Sequence, residues 1–310
     1  HEYLTSPVAF MSLRSSLKCF SLRGVSIFEQ LCFEELLLRT TNKNCLVLNW
    51  NINSNAIVLG FSGKPLELLN TSKVMRDNLQ VLRRFTGGGT VIVDSDTVFT
   101  SLICNSVDVG CRPYPREIMK WTEDFVYSPV FDLLSPRANA DQSQKFGLLE
   151  NDYVWGDRKI GGNAQTITKG RWVHHTSFLW KFDSTRMGYL KMPSKRPAYR
   201  ADRQHQDFLC EISPLLREDC RHPAVFNDTM QTQLNNFFQT RDRQEEVGSE
   251  AATNNPTDMI IEEFEQDRKS GGYHANPIRP DELRQLYNEL CAANPGYLPR
   301  TYLVEDLPAD

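Results

Sequence analysis

Apolar residues along the chain switch between alternation and a three-to-four-residue spacing, and those switches delimit the elements. Leu17–Leu22 reads as a strand broken at Gly24. Ser26 then caps a helix in which Ile27, Leu31 and Leu38 recur at helical spacing, with Glu29, Glu34 and Glu35 interleaved. Cys45–Trp50 and Ala56–Leu59 are short apolar runs separated by Asn and Ser, the pattern of paired strands and a turn. A polar helix is expected around Leu66–Asp77. Gln80–Arg84 leads into Gly87-Gly88-Gly89, after which Thr90–Val93 and Val98–Cys104 read as strands joined by a turn at Asp94-Ser95-Asp96. Pro115 opens a helix carrying Ile118, Trp121 and Phe125 that ends or kinks before Pro129.

Ser135–Lys145 is polar and reads as a surface loop. Strands follow at Tyr153–Trp155, Lys159–Ile160 and Val173–Trp180, and Pro193–Gln206 is a charged loop. Asp228 is placed to cap a helix bearing Met230, Leu234, Phe237 and Phe238, and Asp281–Cys291 reads as one more helix. Between them the composition turns polar and acidic, as in a linker. No internal repeat is visible. The order of elements predicts an α+β fold, with helices against mixed or antiparallel sheets. The expected division is an N-terminal extension at 1–16, a main domain at 17–240, a polar linker at 241–275 and a short C-terminal segment at 276–310.

Composition narrows the class. With 40% hydrophobic residues among 310, the chain can bury a sizeable core. A net charge of −4 is a poor match to general nucleic-acid binding, which needs surplus Lys and Arg. No apolar run approaches the roughly 20 residues that cross a bilayer. The eight cysteines form no CxxC pair and sit mostly in apolar runs, as reduced core thiols do. Tyr3–Ile27 carries no acidic residue, six serines, Arg14, Lys18 and Arg23, the tint of an organelle transit peptide; the expected location is a mitochondrion or another organelle, otherwise the cytoplasm.

Three segments carry candidate chemistry. In Arg83-Arg84-Phe85-Thr86-Gly87-Gly88-Gly89-Thr90-Val91, consecutive glycines let backbone N–H groups approach ligand oxygens, and the arginines add charge-assisted bonds. A tight hairpin with surface arginines is the plainer reading. In Gly156-Asp157-Arg158-Lys159-Ile160-Gly161-Gly162-Asn163-Ala164-Gln165, small residues follow a strand lysine and leave room for its ammonium to meet a carboxylate or phosphate. A solvated strand lysine beside a turn is the alternative. In His174-His175-Thr176-Ser177, neighbouring histidines face opposite sides of a strand, so they cannot chelate one metal ion.

Taken in order, RRFTGGGTV, NDYVWGDRKIGGNAQ and HHTSFL resemble the catalytic domain shared by lipoate–protein ligases, octanoyl transferases and biotin ligases. The spacing from Lys159 to His174 is similar to the lipoate ligase branch, and the resemblance runs over about residues 17–240. Pro197-Ala198-Tyr199-Arg200 and His205–Cys210 look like a eukaryotic, plant-like subgroup. The resemblance implies ATP, Mg2+ and lipoate, or lipoyl-AMP, as ligands and a lipoyl-domain lysine as acceptor. It gives Lys159 the catalytic role, contacting both the acyl carboxylate and the α-phosphate. Arg84, Gly89, Thr90, Val91, Ile92, Asn151 and Asp152 would bind nucleotide, with Asp152 the one residue near a magnesium ion. Thr86, Gly88, Gly161, Gly162, Ala164 and His175 would line the acyl pocket.

Two departures stand out. Val93-Asp94 replaces the His-Asp that follows the glycine strand in the ligases, removing one bonding partner. The bacterial ligases also carry an accessory domain, whereas about 40 residues follow the linker here, too few for an independent core. A second polypeptide for activation would fit that difference. The resemblance thus implies an ATP-dependent lipoate ligase, with a lipoyl or octanoyl transferase fed by an activated donor as the alternative. Cysteine-dependent transferases place a thiol before the lysine segment, and no cysteine lies between Cys111 and Cys210. The GRGR-like loop of biotin ligases is absent. A non-catalytic binder of lipoyl domains is the remaining reading.

Overall fold

Ser26 starts the first helix by reciprocal capping: its Oγ accepts the Glu29 N–H at 3.2 Å, and Glu29 Oε2 accepts the Ser26 N–H at 3.3 Å. The computed structural model describes residues 17–136, 145–192, 196–244, 255–270 and 276–307. The expected N-terminal extension and most of the loop Ser135–Lys145 lie outside the described residues.

The chain runs β1 (Leu17–Arg23), α1 (Ile27–Thr40), β2 (Asn44–Trp50), β3 (Ala56–Leu59), α2 (Pro65–Leu68), α3 (Thr71–Arg76), β4 (Gln80–Arg83), β5 (Val91–Val93) and β6 (Thr97–Asn105). Next come α4 (Ser106–Val109), α5 (Pro115–Thr122), α6 (Ser128–Leu134), β7 (Phe146–Leu149), β8 (Asp152–Trp155), β9 (Arg158–Lys159), β10 (Gly161–Thr168) and β11 (Arg171–Leu179). The remainder holds α7 (His205–Phe208), α8 (Pro223–Gln244), α9 (Pro256–Ser270), α10 (Pro280–Ala293) and β12 (Tyr302–Leu303). The expected α+β class is what is observed.

Three sheets form, ordered β1-β2-β6-β11-β10, β12-β4-β3-β5 and β7-β8-β9. Strand–helix–strand connections through α1 and through α2–α3 make β1/β2 and β3/β4 parallel, and the other pairs are antiparallel. This corrects the expectation that Cys45–Trp50 pairs with Ala56–Leu59. Both runs are buried on both faces, so neither shows the alternation that would name a partner, and they enter different sheets. The strands either side of Asp94–Asp96 likewise part into different sheets.

Both faces of the five-stranded sheet are covered. Leu46, Leu48, Leu102, Trp172 and Phe178 meet Trp121, Phe131, Phe226, Met230 and Leu234 of α5, α6 and α8. On the other face Cys45, Val47, Ile103 and Val173 meet Phe33, Leu36 and Leu37 of α1. The helix opened by Pro115 is interrupted just before Pro129, the second of the two expected outcomes: one wide π-type turn, Glu123–Tyr127, breaks its regularity and the helix resumes as α6. Asp228 does not cap α8. That helix begins at Pro223, five residues earlier in the chain, where His222 Nδ1 accepts the Ala224 N–H at 3.2 Å. The polar helix near Leu66–Asp77 is split at Leu69–Asn70 into α2 and α3.

The expected linker at 241–275 is not linker throughout. Residues 256–270 form α9, which buries Thr257, Asp258 and Ile261 against the β1/α1 face beside Leu283, Leu286 and Leu290 of α10. Polar bonds that local composition does not reveal tie it down: Thr41 Oγ1 donates to Asp258, and Lys18 and Lys43 pair with Glu265 and Glu262 at 2.8 and 3.1 Å. Glu35, fully buried, accepts the N–H groups of Arg300 and Thr301 at 2.9 and 3.1 Å, leading the chain to β12 at the edge of the second sheet. The C-terminal elements therefore share the core of the five-stranded sheet. Leu286→Ala should destabilise the whole protein by about 2–5 kcal/mol in a urea titration, as emptied core sites do. A wild-type midpoint would show that α10 is an independent appendage.

Candidate active site

The glycine loop is built around a buried guanidinium. At the end of β4, Arg83 stays near the surface and Arg84 turns inward, 2% exposed. Arg84 Nε donates to Thr86 Oγ1 at 2.9 Å, Nη1 to Val58 O at 3.3 Å, and Nη2 to Gly87 O and Gly89 O at 3.0 and 2.7 Å. Burial pushes its pKa down to about 10, so it keeps its charge near neutral pH. With the carbonyls drawn inward, the N–H groups of Gly88, Gly89 and Thr90 have no backbone partner among the described residues. Gly88 requires glycine twice over: its φ is +108°, and a Cβ would lie 2.9 Å from Arg84 Nη2 and from Asn163 O. Arg83 donates to the carbonyls of Gly60, Phe61 and Gly63 at 3.1, 3.0 and 2.6 Å, shaping the adjacent turn.

Opposite this loop stands Lys159. Its strand pairs with β8, and its carbonyl accepts the Cys210 N–H at 2.8 Å, so the backbone is clamped on both sides. Its ammonium lies 2.6 Å from Asp152 Oδ1, and Tyr199 donates its hydroxyl to Asp152 Oδ2 at 2.8 Å. Tyr199 N–H in turn donates to Glu150 Oε1 at 3.0 Å. Burial and the neighbouring Asp152 carboxylate raise the Tyr199 phenol far above its ordinary pKa, so it stays a donor.

A cavity of about 510 Å³ lies between the two segments, within the range of small-molecule sites. Gly88, Gly89, Thr90, Val91 and Ile92 form one wall, and Asn151, Asp152, Lys159, Gly161 and Gly162 the other. Leu68, Met187 and Leu190 give it an apolar end, and Arg196, Arg200 and His205 add polar and basic groups. Four anticipated residues stand behind the wall rather than in it: Arg84, Thr86, Ala164 and His175 are buried and do not line the cavity. Arg84 turns inward and bonds to Thr86, which in turn bonds to His175.

The two histidines face opposite sides of β11. His174 Nε2 meets Tyr153 Oη at 3.1 Å, and Gln165 Nε2 donates to its Nδ1 at 2.9 Å. Burial, then the neighbouring His175, pushes the His174 pKa down to about 3. His175 bonds to Thr86 and Glu34 at 3.0 and 3.1 Å, and burial lowers its pKa as well. Among the described residues no cluster of three or more His, Cys, Asp or Glu gathers as a metal site.

Comparison with known proteins decides the family. The family model of the lipoyl protein ligase A/B catalytic domain matches residues 26–234. The chain belongs to this family. An inactive lipoate–protein ligase 2 from Plasmodium falciparum is 30% identical over 247 residues, 64% of this chain and 64% of that protein, so the chain spans under two thirds of that relative. A crystal structure of lipoate–protein ligase A bound with ATP superposes with a TM-score of 0.53 at 17% identity, over 73% of this chain and 86% of that one. A bipartite archaeal lipoate–protein ligase with its E2 lipoyl domain, from Thermoplasma acidophilum, gives 0.54 at 16% identity, over 86% of this chain and 98% of that one. These likenesses establish the lipoate ligase fold.

Within this lipoate ligase fold, several cavity residues escaped the sequence reading. Ser177 was discoverable: Lys169 and Gly170, at φ +47° and +80°, form a two-residue hairpin turn whose register places Gly162 opposite Ser177. Arg196 and Arg200 come from a charged irregular segment, and His205 and Leu209 from the start of the one-turn helix α7 and the residue after it; none carries a periodic signal. Gly162 shows how tightly the two walls meet, since a Cβ there would fall 2.7 Å from Val91 Cγ1. Gly162→Ala should destabilise the protein by about 1–3 kcal/mol through overpacking. Adding Val91→Ala should recover most of that loss in thermal melting; a double variant no more stable than the single one would show that the walls do not touch.

Proposed function

We propose that this member of the lipoate ligase family is a lipoate–protein ligase that activates lipoate with ATP and transfers the lipoyl group to a lipoyl-domain lysine. The observation that carries this reading is the placement of Lys159, its ammonium 2.6 Å from Asp152, in one cavity with the glycine loop. In the first step a lipoate carboxylate oxygen attacks the α-phosphorus of ATP and pyrophosphate leaves, giving lipoyl-AMP. In the second, the acceptor amine attacks the acyl carbonyl, loses a proton and expels AMP. Negative charge builds on the phosphate and then on the carbonyl oxygen, and a fixed ammonium between them stabilises both. The N–H groups of Gly88–Thr90, which have no backbone partner among the described residues, supply neutral donors to the same anion.

The hard oxygens of Glu150 and Asp152 are the cavity carboxylates. With nucleotide phosphates they suit Mg2+, which prefers one or two carboxylates plus phosphate oxygens and would supply charge neutralisation there. The ATP-bound and lipoyl-domain-associated neighbours support nucleotide and acceptor as partners.

A second reading is favoured by one observation, the 30% identity to a relative named an inactive ligase. In it the chain takes lipoyl-AMP made by another polypeptide and performs the transfer alone. Lipoate-dependent exchange of labelled pyrophosphate into ATP separates the two. Exchange by the pure chain supports the ligase, whereas no exchange with intact transfer from synthetic lipoyl-AMP supports the transferase.

Both readings need Lys159. Lys159→Ala should melt close to wild type while acyl transfer falls by at least ~10²-fold, the scale of one preorganised electrostatic group. Lys159→Arg should not restore it, because a planar fork does not fit where a compact ammonium sits beside Gly161 and Gly162. Near-normal transfer by the alanine variant would overturn the mechanism.

A further inference from the structure

Behind the glycine loop lies a line of buried polar groups that the chemistry above does not use. Arg84 Nε donates to Thr86 Oγ1 at 2.9 Å, Thr86 Oγ1 meets His175 Nε2 at 3.0 Å, and His175 Nδ1 meets Glu34 Oε2 at 3.1 Å. The other Glu34 oxygen accepts from Gln30 Nε2 at 2.7 Å and Ser101 Oγ at 2.6 Å. Asn49 Nδ2 holds Gln30 Oε1 at 2.9 Å. Glu34, Thr86, His175 and Arg84 are at most 2% exposed, so water cannot stand in for a missing partner.

With His175 neutral, as its burial favours, proton accounting leaves one arrangement. A guanidinium only donates, so Thr86 Oγ1 accepts from Arg84 and its single proton points to His175 Nε2. His175 Nε2 is then the acceptor and Nδ1 carries the ring proton, which goes to Glu34. As a carboxylate, Glu34 receives three donors and gives none. In the reverse tautomer two N–H groups would crowd Thr86 Oγ1, and the bare Nδ1 would face a carboxylate oxygen. Every bond in the line thus points from a buried cation toward a buried anion, through two neutral groups.

We infer that Glu34 is a positioning residue: from α1 it sets the tautomer of His175, and through Thr86 this orients Arg84 and the glycine loop. The guanidinium at the far end grips Gly87 O and Gly89 O, and the residues those carbonyls flank line the cavity. Its consequence for ligand binding rests on the function proposed above; the tautomer itself does not.

The test is Glu34→Gln, whose amide can donate to His175 Nδ1 and so reverse the ring. Long-range 1H–15N correlation spectra, with His175 assigned by its loss in His175→Gln, should show Nδ1–H in the wild type and Nε2–H in Glu34→Gln. The amide signals of Gly87, Gly88 and Gly89 should shift in the same variant. Thr86→Val, close in shape, is the second arm: it should keep the Nδ1–H tautomer yet still shift the loop amides. Affinity for a non-reactive sulfamate analogue of lipoyl-AMP should weaken roughly tenfold in both, the fold-change of one net buried hydrogen bond. An unchanged tautomer in Glu34→Gln, or unmoved loop amides in Thr86→Val, overturns the inference. A wild-type protein that fails to bind the analogue would count against the proposed function instead, leaving the spectra to judge Glu34.

Discussion

The site depends on burying one positive charge without a carboxylate beside it. Arg84 is satisfied by Thr86 and by the carbonyls of Val58, Gly87 and Gly89, and those bonds dictate how the loop folds. Removing an ion from water is expensive unless its donors are met. A loop that curls its carbonyls around the guanidinium meets them and leaves the N–H groups of Gly88, Gly89 and Thr90 without a backbone partner among the described residues. Glycine is needed where the curl comes closest: a Cβ on Gly60 would fall 2.2 Å from Gly88 O.

Against this fixed wall the lysine side is held in a different way. Lys159 owes its position to backbone pairing with Val154 and Leu209, and its ammonium to a carboxylate that Tyr199 holds from the other side. The ammonium is partly exposed and the guanidinium is not. That difference fits the proposed division of work, since a group proposed to meet substrate must be reachable while a group that shapes a loop must be shielded from competing water.

The segment after the expected linker covers the sheet edge. β1 would present an open edge, and Ile278 covers it, donating its N–H to Ser21 O at 2.7 Å and accepting the Arg23 N–H at 3.1 Å. The apolar face of α10 closes the core over α1, and β12 pairs with Arg83 and Leu82 at the outer strand of the second sheet. The C-terminal segment is thereby joined to the glycine loop through β12 and its neighbour β4.

Local chemistry determined a good part of this protein. Ser26 and Glu29 announce the start of α1, the glycines and Lys159 announce the two walls, and the order of motifs resembles the family that the comparison then identifies. The opposite outlook of His174 and His175 follows from strand geometry alone. What sequence could not determine was anything resting on long-range pairing: that β2 and β3 part company, that α9 docks through Asp258 and Ile261, that Arg196, Arg200 and His205 reach the cavity. Nor could it show that Arg84, Thr86, Ala164 and His175 are buried, outside the residues that line the cavity. Residue type and spacing report how a segment meets its own neighbours. Which polar side chain is shielded and which is reachable is decided by partners more than a hundred residues away, such as Glu34 for His175.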